Sequence, residues 1–399
     1  MPVHWGQESC DRYDDPVSGA RVIQLTSAAM ISNNIYGEQP YASPDGKRIM
    51  ITRCNDFVFD EYGSLLVHEL DTLKITMVAR KMVGARGIFN SAWSGLIYYW
   101  TEDRQLMRFN MMTLETEEVY KEEDPTAPLI GGSVSPDQRY IVGMMPRMEG
   151  PDAPIFQVIR FDLQKKIREV IFEHPEICNP HIQFNPIDGE HILIQNNRGV
   201  RMEPDGSLNY RHSAEGTTLF VIDKDGKNLQ YLPVGNPFTS TATGHECFVA
   251  DTGKVLFSVG SNMIDEHHWE FDSRYPTGNI FTAKPGDEKP TVFEMPEHIT
   301  NHVSVSRCGR YFVADSHGHG IFKNGKLQPV ALVIGNLETG KYRVLVQDSW
   351  CSGGGNQCTH THQYLTADNR YVVYNADMYT GIPQVFAARL PEGFLASLD

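Results

Sequence analysis

Gln357, His360 and His362 form the densest group of potential metal ligands in the sequence. If this segment is a strand, side chains two residues apart point to the same face, so the two imidazoles can chelate one ion. Gln357 is near enough along the chain to add an amide oxygen. Imidazole nitrogen together with amide oxygen suits Mn²⁺, Zn²⁺, Fe²⁺ or Ni²⁺ rather than a thiolate site. This spacing predicts a divalent metal site.

A fourth ligand must come from another part of the fold. His302 stands just ahead of an apolar strand, as His362 does, and we expect it at the same end of its own repeat unit. Cys358 is a competing ligand, but its spacing is expected to turn it away from the histidines. A His-x-His pair alone is more often a polar strand face. We favour a metal because both segments directly precede a strand expected to lie near the axis of the fold.

Two further histidines occupy equivalent places in their own units. His245, in the segment 243–248, and His181, in the segment 179–182, are each expected to project into the same central pocket. Histidine titrates near neutrality and can take a proton as a general base. The alternative is that each is a hydrogen-bonded structural histidine.

The elements that position these residues come from a repeat. A turn of the Asp-Gly type followed by an apolar strand occurs seven times, at 45–46, 94–95, 137–138, 188–189, 251–253, 308–309 and 368–369. Asp-Gly between extended runs is a strong hairpin signal, because type I′ turns need positive φ at both central positions. A weaker hairpin lies between successive turns, which gives four strands per unit. Repeat periods of roughly 45 to 65 residues fit propeller blades.

The sequence therefore predicts an all-β fold, a seven-bladed β-propeller that forms a single domain over residues 1–399. The segment 21–25 has no hairpin partner of its own. We expect it to pair with 384–389 in the C-terminal blade, which closes the ring and removes its open edge. The alternative is a pair of β-sandwiches, and seven similar units in register are hard to divide between two sandwiches.

Composition limits the partners. The chain has 50 acidic and 35 basic residues, a formal charge of -15, which argues against nucleic-acid binding through phosphate neutralisation. No apolar stretch is long enough to span a membrane, and no secretory signal is visible, so we expect a cytoplasmic protein, or a periplasmic one if a signal was removed. Seven scattered cysteines suit a reducing compartment. An anionic substrate would need locally concentrated positive charge.

The sequence resembles the oligogalacturonate lyases and their relatives, which are seven-bladed β-propeller polysaccharide lyases. The resemblance runs over nearly the whole chain and is most specific at the Gln-x-x-His-x-His motif of 357–362 together with His302. These residues match the family's manganese ligands in type, order and spacing. The resemblance implies Mn²⁺ as the cofactor, with Zn²⁺, Fe²⁺, Ni²⁺ or Ca²⁺ as alternatives. His245 matches the histidine of the family's catalytic-base motif.

The resemblance also implies substrate-binding residues. His181 and Arg86, in Asn-Pro-His and Gly-Ala-Arg-Gly, are weaker matches, and the family's carboxylate-neutralising arginine falls on Thr218. Residues of an inserted stretch that could replace that arginine or bind the sugar are Arg201 and Arg211 for catalysis and Arg198 and Tyr210 for substrate binding. Aromatic candidates for stacking on sugar rings are Tyr36, Tyr210, Trp269 and Tyr364.

The activity implied by the resemblance is metal-dependent β-elimination on uronate-containing oligosaccharides, as in pectin degradation, with His245 as general base. The metal and an arginine would bind the C6 carboxylate, so that the C5 proton becomes acidic. Two other readings stay open. One is a non-catalytic propeller that binds carbohydrate or protein with a structural metal, which the loss of the arginine favours. The other is a metal-assisted glycan hydrolase that uses an open coordination position.

Overall fold

The computed structural model describes residues 4–54, 63–83, 87–210, 216–260, 262–265, 268–270, 278–317, 322–323, 326–327, 329–353 and 356–399. Within these ranges nearly every regular element is a β-strand, and the helices that are described over their whole length are two short 3-10 turns, Gln357–Thr359 and Leu395–Leu398. No helix of the described chain is long and apolar enough to cross a membrane.

The strands follow one another as antiparallel groups. The first groups are β1 (Cys10–Asp14) and β2 (Arg21–Gln24); β3 (Ile31–Asn33), β4 (Arg48–Cys54), β5 (Gly63–Glu69) and β6 (Lys74–Met82); β7 (Ile88–Asn90), β8 (Leu96–Trp100), β9 (Gln105–Asn110) and β10 (Glu115–Lys121); and β11 (Ser133–Val134), β12 (Tyr140–Arg147), β13 (Ile155–Asp162) and β14 (Ile167–His174). The groups β7–β10 and β11–β14 join through one parallel pairing, of Asn90 with Ser133.

The next three groups carry an inserted hairpin between their second and third strands, and the last group has none among the described residues. Their strands are β15 (Gln183–Phe184), β16 (His191–Asn196), β17 (Val200–Met202), β18 (Leu208–Tyr210), β19 (Thr218–Asp223) and β20 (Gln230–Tyr231); β21 (Ala242–Phe248), β22 (Val255–Val259), β23 (Asn262–Asp265), β24 (His268–Glu270), β25 (Ile280–Ala283) and β26 (Thr291–Phe293); β27 (Val303–Val305), β28 (Tyr311–Ser316), β29 (Phe322–Lys323), β30 (Lys326–Leu327), β31 (Ala331–Asn336) and β32 (Tyr342–Val346); and β33 (Tyr364–Leu365), β34 (Tyr371–Ala376) and β35 (Gln384–Arg389). The hairpins are β17–β18, β23–β24 and β29–β30.

The first strands of neighbouring groups pack together: β11 contacts both β7 and β15, and β27 contacts both β21 and β33. The polar residues that stand at or just before these first strands are thereby gathered in the middle of the molecule. The hydrophobic core is divided among the spaces between adjacent sheets: one cluster joins Val313 to Val372, and another joins Ile49 to Val373. Each fully buried aliphatic side chain there contributes about 1.5 to 3 kcal/mol.

The turn that leads from each first strand into the second differs from the predicted type. At the turn after β3, the Gly46 N–H donates to the Ser43 carbonyl at 3.0 Å, and φ is positive (72°) at Gly46 but not at Asp45. Type I′ needs two positive φ angles, so this is a type I turn followed by one left-handed residue. The Ser43 hydroxyl donates to Asp45 Oδ1 at 2.6 Å and fixes the turn. The same left-handed position recurs at Gln138, Gly309 and Asn369.

The strand pairing expected between the two ends of the repeat array is present. β2 pairs antiparallel with β35, with Arg21 opposite Arg389 and Gln24 opposite Phe386, and the sheet order is β1-β2-β35-β34-β33. Val22 and Ile23 of β2 are buried. A segment from the start of the array therefore forms part of the last sheet.

Candidate metal centre

Three of the four predicted metal ligands lie together. His302, His360 and His362 each offer a ring nitrogen within 4.8 Å of the others. The ring centroid of His302 is 5.0 Å from those of both other histidines. His302 directly precedes β27 and His362 lies shortly before β33, so two neighbouring sheets supply the group.

The prediction that His360 and His362 lie on a strand is wrong. The preceding 3-10 helix, Gln357–Thr359, is capped by the Asn356 side chain, which accepts from the Cys358 N–H at 3.0 Å. His360 is extended (φ -93°), but His362 is left-handed (φ 41°). A positive φ breaks the alternation of an extended strand, so the turn rather than a shared strand face brings the rings together.

Gln357 and Cys358, which precede these histidines, differ in their exposure to solvent. Gln357 begins the 3-10 helix and is exposed. Cys358 is buried, lies outside the three-histidine group, and its thiol interacts with Cys54 and Asn33. This arrangement agrees with the expectation that Cys358 is not a metal ligand.

Asp315, on β28, orients His302. Its Oδ2 lies 2.6 Å from His302 Nδ1, and its Oδ1 accepts from the backbone N–H groups of Asn301 and His302, both at 2.8 Å. His317 Nε2 (3.2 Å) and Thr361 Oγ1 (3.3 Å) also contact Oδ2. Burial raises the pKa of Asp315, but the charges and hydrogen bonds of the two histidines hold it well below its usual range. The ionised carboxylate therefore accepts from Nδ1 and leaves His302 Nε2 available to an ion.

The donor atoms fit a divalent cation. His302 Nε2 and both ring nitrogens of His362 are buried without a hydrogen-bond partner among the described residues. Such atoms are rare unless a ligand satisfies them. Burial, reinforced by neighbouring histidines, lowers the pKa of His302 to about 4 and the pKa of His362 well below its ordinary value. Neutral imidazoles with free lone pairs are the form that binds Mn²⁺ or Zn²⁺.

A second cluster adjoins the first and is centred on Glu38, in the connection between β3 and β4. Glu38 Oε1 lies 2.9 Å from His245 Nδ1, and Oε2 lies 3.4 Å from His181 Nδ1. The Tyr36 hydroxyl lies 3.1 Å from Oε1 and 3.3 Å from both Nδ1 atoms. The ring centroid of His245 is 4.1 Å from that of His302. The structure thus brings both predicted pocket histidines beside the metal cluster.

The second cluster contains a negatively charged carboxylate, Glu38, and a positively charged histidine, His181. Burial raises the pKa of Glu38, but hydrogen bonds from His181 and His245 lower it overall. Burial lowers the pKa of His181, but the hydrogen bond and charge of Glu38 raise it to about 9. At neutral pH a carboxylate and an imidazolium therefore face each other next to the candidate ion site.

Sequence reasoning missed Glu38, Asp315 and Glu246. Glu246, on β21, is fully buried, neither of its carboxyl oxygens has a hydrogen-bond partner among the described residues, and burial raises its pKa to about 8. It directly follows His245 in the segment 243–248. No local signal marks Glu38 or Asp315, because each acts on residues far away in the chain.

The two predicted arginines that the structure describes, Arg198 and Arg201, contact residues outside the two histidine clusters. Arg198 Nε donates to the Gly216 carbonyl at 2.5 Å, and its terminal nitrogens lie 3.3 Å from the Asn236 carbonyl. Arg201 lies on β17, its side chain is 66% exposed, and it is 3.4 Å from Glu176. In the described chain, no hydrogen bond links either guanidinium to the histidines.

The remaining candidates are placed as follows. Thr218, the first residue of β19, is buried and pairs with Asn196. Tyr210 ends β18. Arg86 and Arg211 lie outside the described residues. Among the aromatic candidates, Tyr364 is fully buried and so is unavailable for stacking on a sugar, whereas Tyr36 contacts the cluster.

A cavity of about 90 Å³ lies against the metal cluster. His302 and His360 form part of its wall, with Thr243, Asn301 and His317 on other sides. This space therefore lies directly beside two of the three clustered histidines.

A scan of protein-family models finds no match to this chain. Two curated proteins are similar over most of their length: an oligogalacturonide lyase of Pectobacterium atrosepticum, 24% identical over 95% of this chain and 96% of that protein, and an oligogalacturonate lyase of Dickeya dadantii, 23% identical over 95% and 96%.

Solved structures agree with the fold. An oligogalacturonate lyase from Vibrio parahaemolyticus has a TM-score of 0.71 at 18% identity, covering 99% of this chain and 100% of that chain. An oligogalacturonate lyase in complex with manganese has a TM-score of 0.68 at 20% identity, covering 98% of each. The β-propeller domain of a Pyrococcus furiosus protease reaches 0.50 at 11% identity, covering 92% and 97%. The chain is thus a β-propeller and a divergent relative of the oligogalacturonate lyases.

Proposed function

We propose that this chain is a metal-dependent lyase that cleaves uronate-containing oligosaccharides, such as oligogalacturonates, by β-elimination. The observation that carries the proposal is the contact between His245 and His302, whose ring centroids are 4.1 Å apart. A candidate base thereby adjoins a candidate cation site, which is what abstraction of a proton next to a carboxylate requires. The names of the two curated relatives support the same activity.

The proposed scaffold is one domain over residues 1–399. Its repeated four-stranded groups form seven blades, and β2 completes the last blade and closes the ring. The continuous pairing of β2 with β35 supports this closure.

The residues that we assign to the metal ion are His302, Gln357, His360 and His362. When bound, a divalent ion, with Mn²⁺ the first choice, would supply positive charge that stabilises the developing negative charge of the C6 carboxylate. The structure of an oligogalacturonate lyase in complex with manganese supports that choice. Gln357 is exposed, and its assignment rests on the sequence motif rather than on a contact with the three histidines.

His245 is the proposed base. Its Nε2 takes the C5 proton, the C5–H electron pair forms the C4–C5 double bond, and the C4–O4 bond breaks. The leaving oxygen takes a proton from the His245 imidazolium or from water, which restores the base. Glu38 remains ionised throughout and pairs with the imidazolium.

The substrate carboxylates need cations in the pocket. Among the described residues, the placement of His181 supports this role. Its ring centroid is 5.9 Å from that of His245, and Glu38 keeps its imidazole protonated. Arg201 has a largely exposed guanidinium and is a second candidate. Further candidates retained from the sequence are Arg86, Arg198, Tyr210 and Arg211.

The test is to incubate the metal-loaded protein with oligogalacturonates and follow two signals: ultraviolet absorbance of the conjugated product and release of reducing ends. Elimination gives both signals. Reducing ends without absorbance would mean hydrolysis, and neither signal, with saturable binding by calorimetry, would mean a carbohydrate-binding propeller. Only the first result supports the lyase.

A further inference from the structure

We propose that Glu38 is a positioning residue: its single carboxylate holds His245 and His181 by their Nδ1 atoms and presents both Nε2 atoms to the substrate. The effect of Glu38 on catalysis depends on the elimination reaction proposed above. Its geometry stands on the structure alone.

The bridge spans distant parts of the chain. Glu38 is 207 residues from His245 and 143 residues from His181, and it gives one oxygen to each, at 2.9 Å and 3.4 Å. Its side chain is only 5% exposed. A buried carboxylate that accepts from two rings fixes the orientation of both, because it has no solvent to turn towards.

The opposite edges of the two rings are open. No described residue hydrogen-bonds Nε2 of His245 or of His181, and neither atom is among the buried polar atoms that lack a partner. His302 Nε2, by contrast, is buried and without a partner. The two open Nε2 atoms are therefore accessible to a substrate, whereas the His302 nitrogen faces the ion site.

The carboxylate also determines which nitrogen carries the hydrogen. An ionised carboxylate only accepts, so Nδ1 must donate to it and a neutral imidazole then has its lone pair on Nε2. That is the form a base needs on its substrate side. Without Glu38, the remaining partner of His245 Nδ1 is the Tyr36 hydroxyl at 3.3 Å, which can either donate or accept and so does not fix the tautomer.

Tyr36 completes the arrangement. Its hydroxyl lies 3.1 Å from Glu38 Oε1, and its ring centroid is 4.9 Å from that of His362. It can donate to the carboxylate while its ring packs against the metal cluster. Base, carboxylate and candidate metal ligands are thereby held in one contact network.

The experiment compares Glu38→Gln with the wild type. The amide keeps the shape but loses the charge and places an NH₂ group against one of the rings. The matched control is Glu8→Gln, which makes the same change at a carboxylate paired with Arg53. Long-range proton–nitrogen NMR on protein labelled with nitrogen-15 histidine, loaded with diamagnetic Zn²⁺, reports which ring nitrogen is protonated. His245→Gln and His181→Gln assign the signals.

The expected result is an Nδ1–H tautomer for His245 in the wild type and in Glu8→Gln, and its loss in Glu38→Gln. In parallel we expect kcat on oligogalacturonate to fall roughly 10²- to 10⁴-fold in Glu38→Gln only. In His181→Gln we expect a higher KM while the His245 tautomer is kept.

An Nε2–H tautomer in the wild type would overturn the proposal by itself, whether or not any variant folds. So would an unchanged His245 tautomer and kcat in folded Glu38→Gln. If the wild type lacks lyase activity but the tautomer responds as expected, the proposed reaction fails and the positioning role of Glu38 stands.

Discussion

Asp315 Oδ2 lies 2.6 Å from His302 Nδ1, and this bond decides which nitrogen of His302 can meet an ion. The carboxylate also accepts two backbone N–H groups, so it cannot move without loss of several hydrogen bonds. The orientation of a candidate metal ligand is thus set by a residue from the strand beside it. This relationship and the neighbouring clusters lead to the following predictions.

Asp315→Asn should lower the affinity for Mn²⁺ or Zn²⁺ by about 10- to 100-fold, because the amide no longer holds the His302 tautomer. Isothermal titration of the metal measures this. Asp162→Asn is the matched control, since Asp162 is also buried and charge-paired, with Arg139. Equal metal affinities in the two variants would contradict the role of Asp315.

The double variant with His360→Ala and His362→Ala should lose the bound divalent ion, because two of the three clustered nitrogens are removed. Metal analysis by mass spectrometry after dialysis checks this. His317→Ala is the control, because His317 contacts the same Asp315 without belonging to the three-histidine group. A double variant that keeps its metal would show that the ion binds elsewhere.

His245→Ala should abolish turnover, with a loss of roughly 10²- to 10⁴-fold or more, and leave fold and metal content intact. The measurements are the ultraviolet product assay, circular dichroism and metal analysis. His191→Ala serves for comparison, since His191 is an exposed histidine that contacts Asp188. Full activity in His245→Ala would rule out this base.

Glu246→Gln should change how stability depends on pH. Burial raises the pKa of Glu246 from 4.5 to about 8, so between these values the folded state binds more protons than the unfolded state. The free energy of unfolding contributed by this group is therefore fully present below pH 4.5 and is lost as the pH rises towards about 8.

The amide does not titrate, so we expect Glu246→Gln to match the wild type in acid and to exceed it at higher pH by at least about 1 kcal/mol. Urea unfolding at both ends of this range measures the difference. The exposed Glu190 provides the control Glu190→Gln. A wild type and a Glu246→Gln variant with parallel pH profiles would show that Glu246 is not buried as a neutral acid.

Gly46→Ala should destabilise more than Gly253→Ala. Both glycines have positive φ, 72° and 68°, which costs about 1 to 2 kcal/mol for alanine. A Cβ at Gly46 would also overlap the Asp368 carboxyl group, whereas one at Gly253 meets nothing within 4 Å. Asp368 cannot yield freely because it accepts from Thr366 and Arg370. Thermal unfolding of both variants measures the difference, and equal losses would contradict the clash.

The parts of this fold that the sequence predicted depend on local patterns. Turn residues such as Asp45 and Gly46 next to apolar runs mark where strands begin. The segment that forms β2 has no hairpin partner of its own, so pairing with the exposed edge of another sheet could be predicted, and it pairs with β35. The turn type was wrong because the Asp-Gly pair was assigned two left-handed residues, while Ser43 and Pro44 favour a type I turn before the glycine.

The site was predicted only in part, for a related reason. His302 and His362 follow from their places ahead of first strands, and their proximity is a consequence of the repeat. Glu38 acts on His181 and His245 across the middle of the molecule, and a single sequence carries no signal for such a contact. The left-handed His362 is set by the turn after the 3-10 helix, which a strand pattern does not reveal.

The pairing of β2 with β35 also has a consequence for synthesis. During synthesis on the ribosome, β2 emerges long before β35. Until β35 is made, the edge of β2 that pairs with it has unpaired backbone N–H and C=O groups, and the apolar side chains of Val22 and Ile23 lack their final neighbours. An exposed strand edge of this kind is a template for wrong pairing with another chain. Expression at lower temperature, or with a chaperone that shields the nascent segment, should therefore raise the yield of native protein without any change in its final stability.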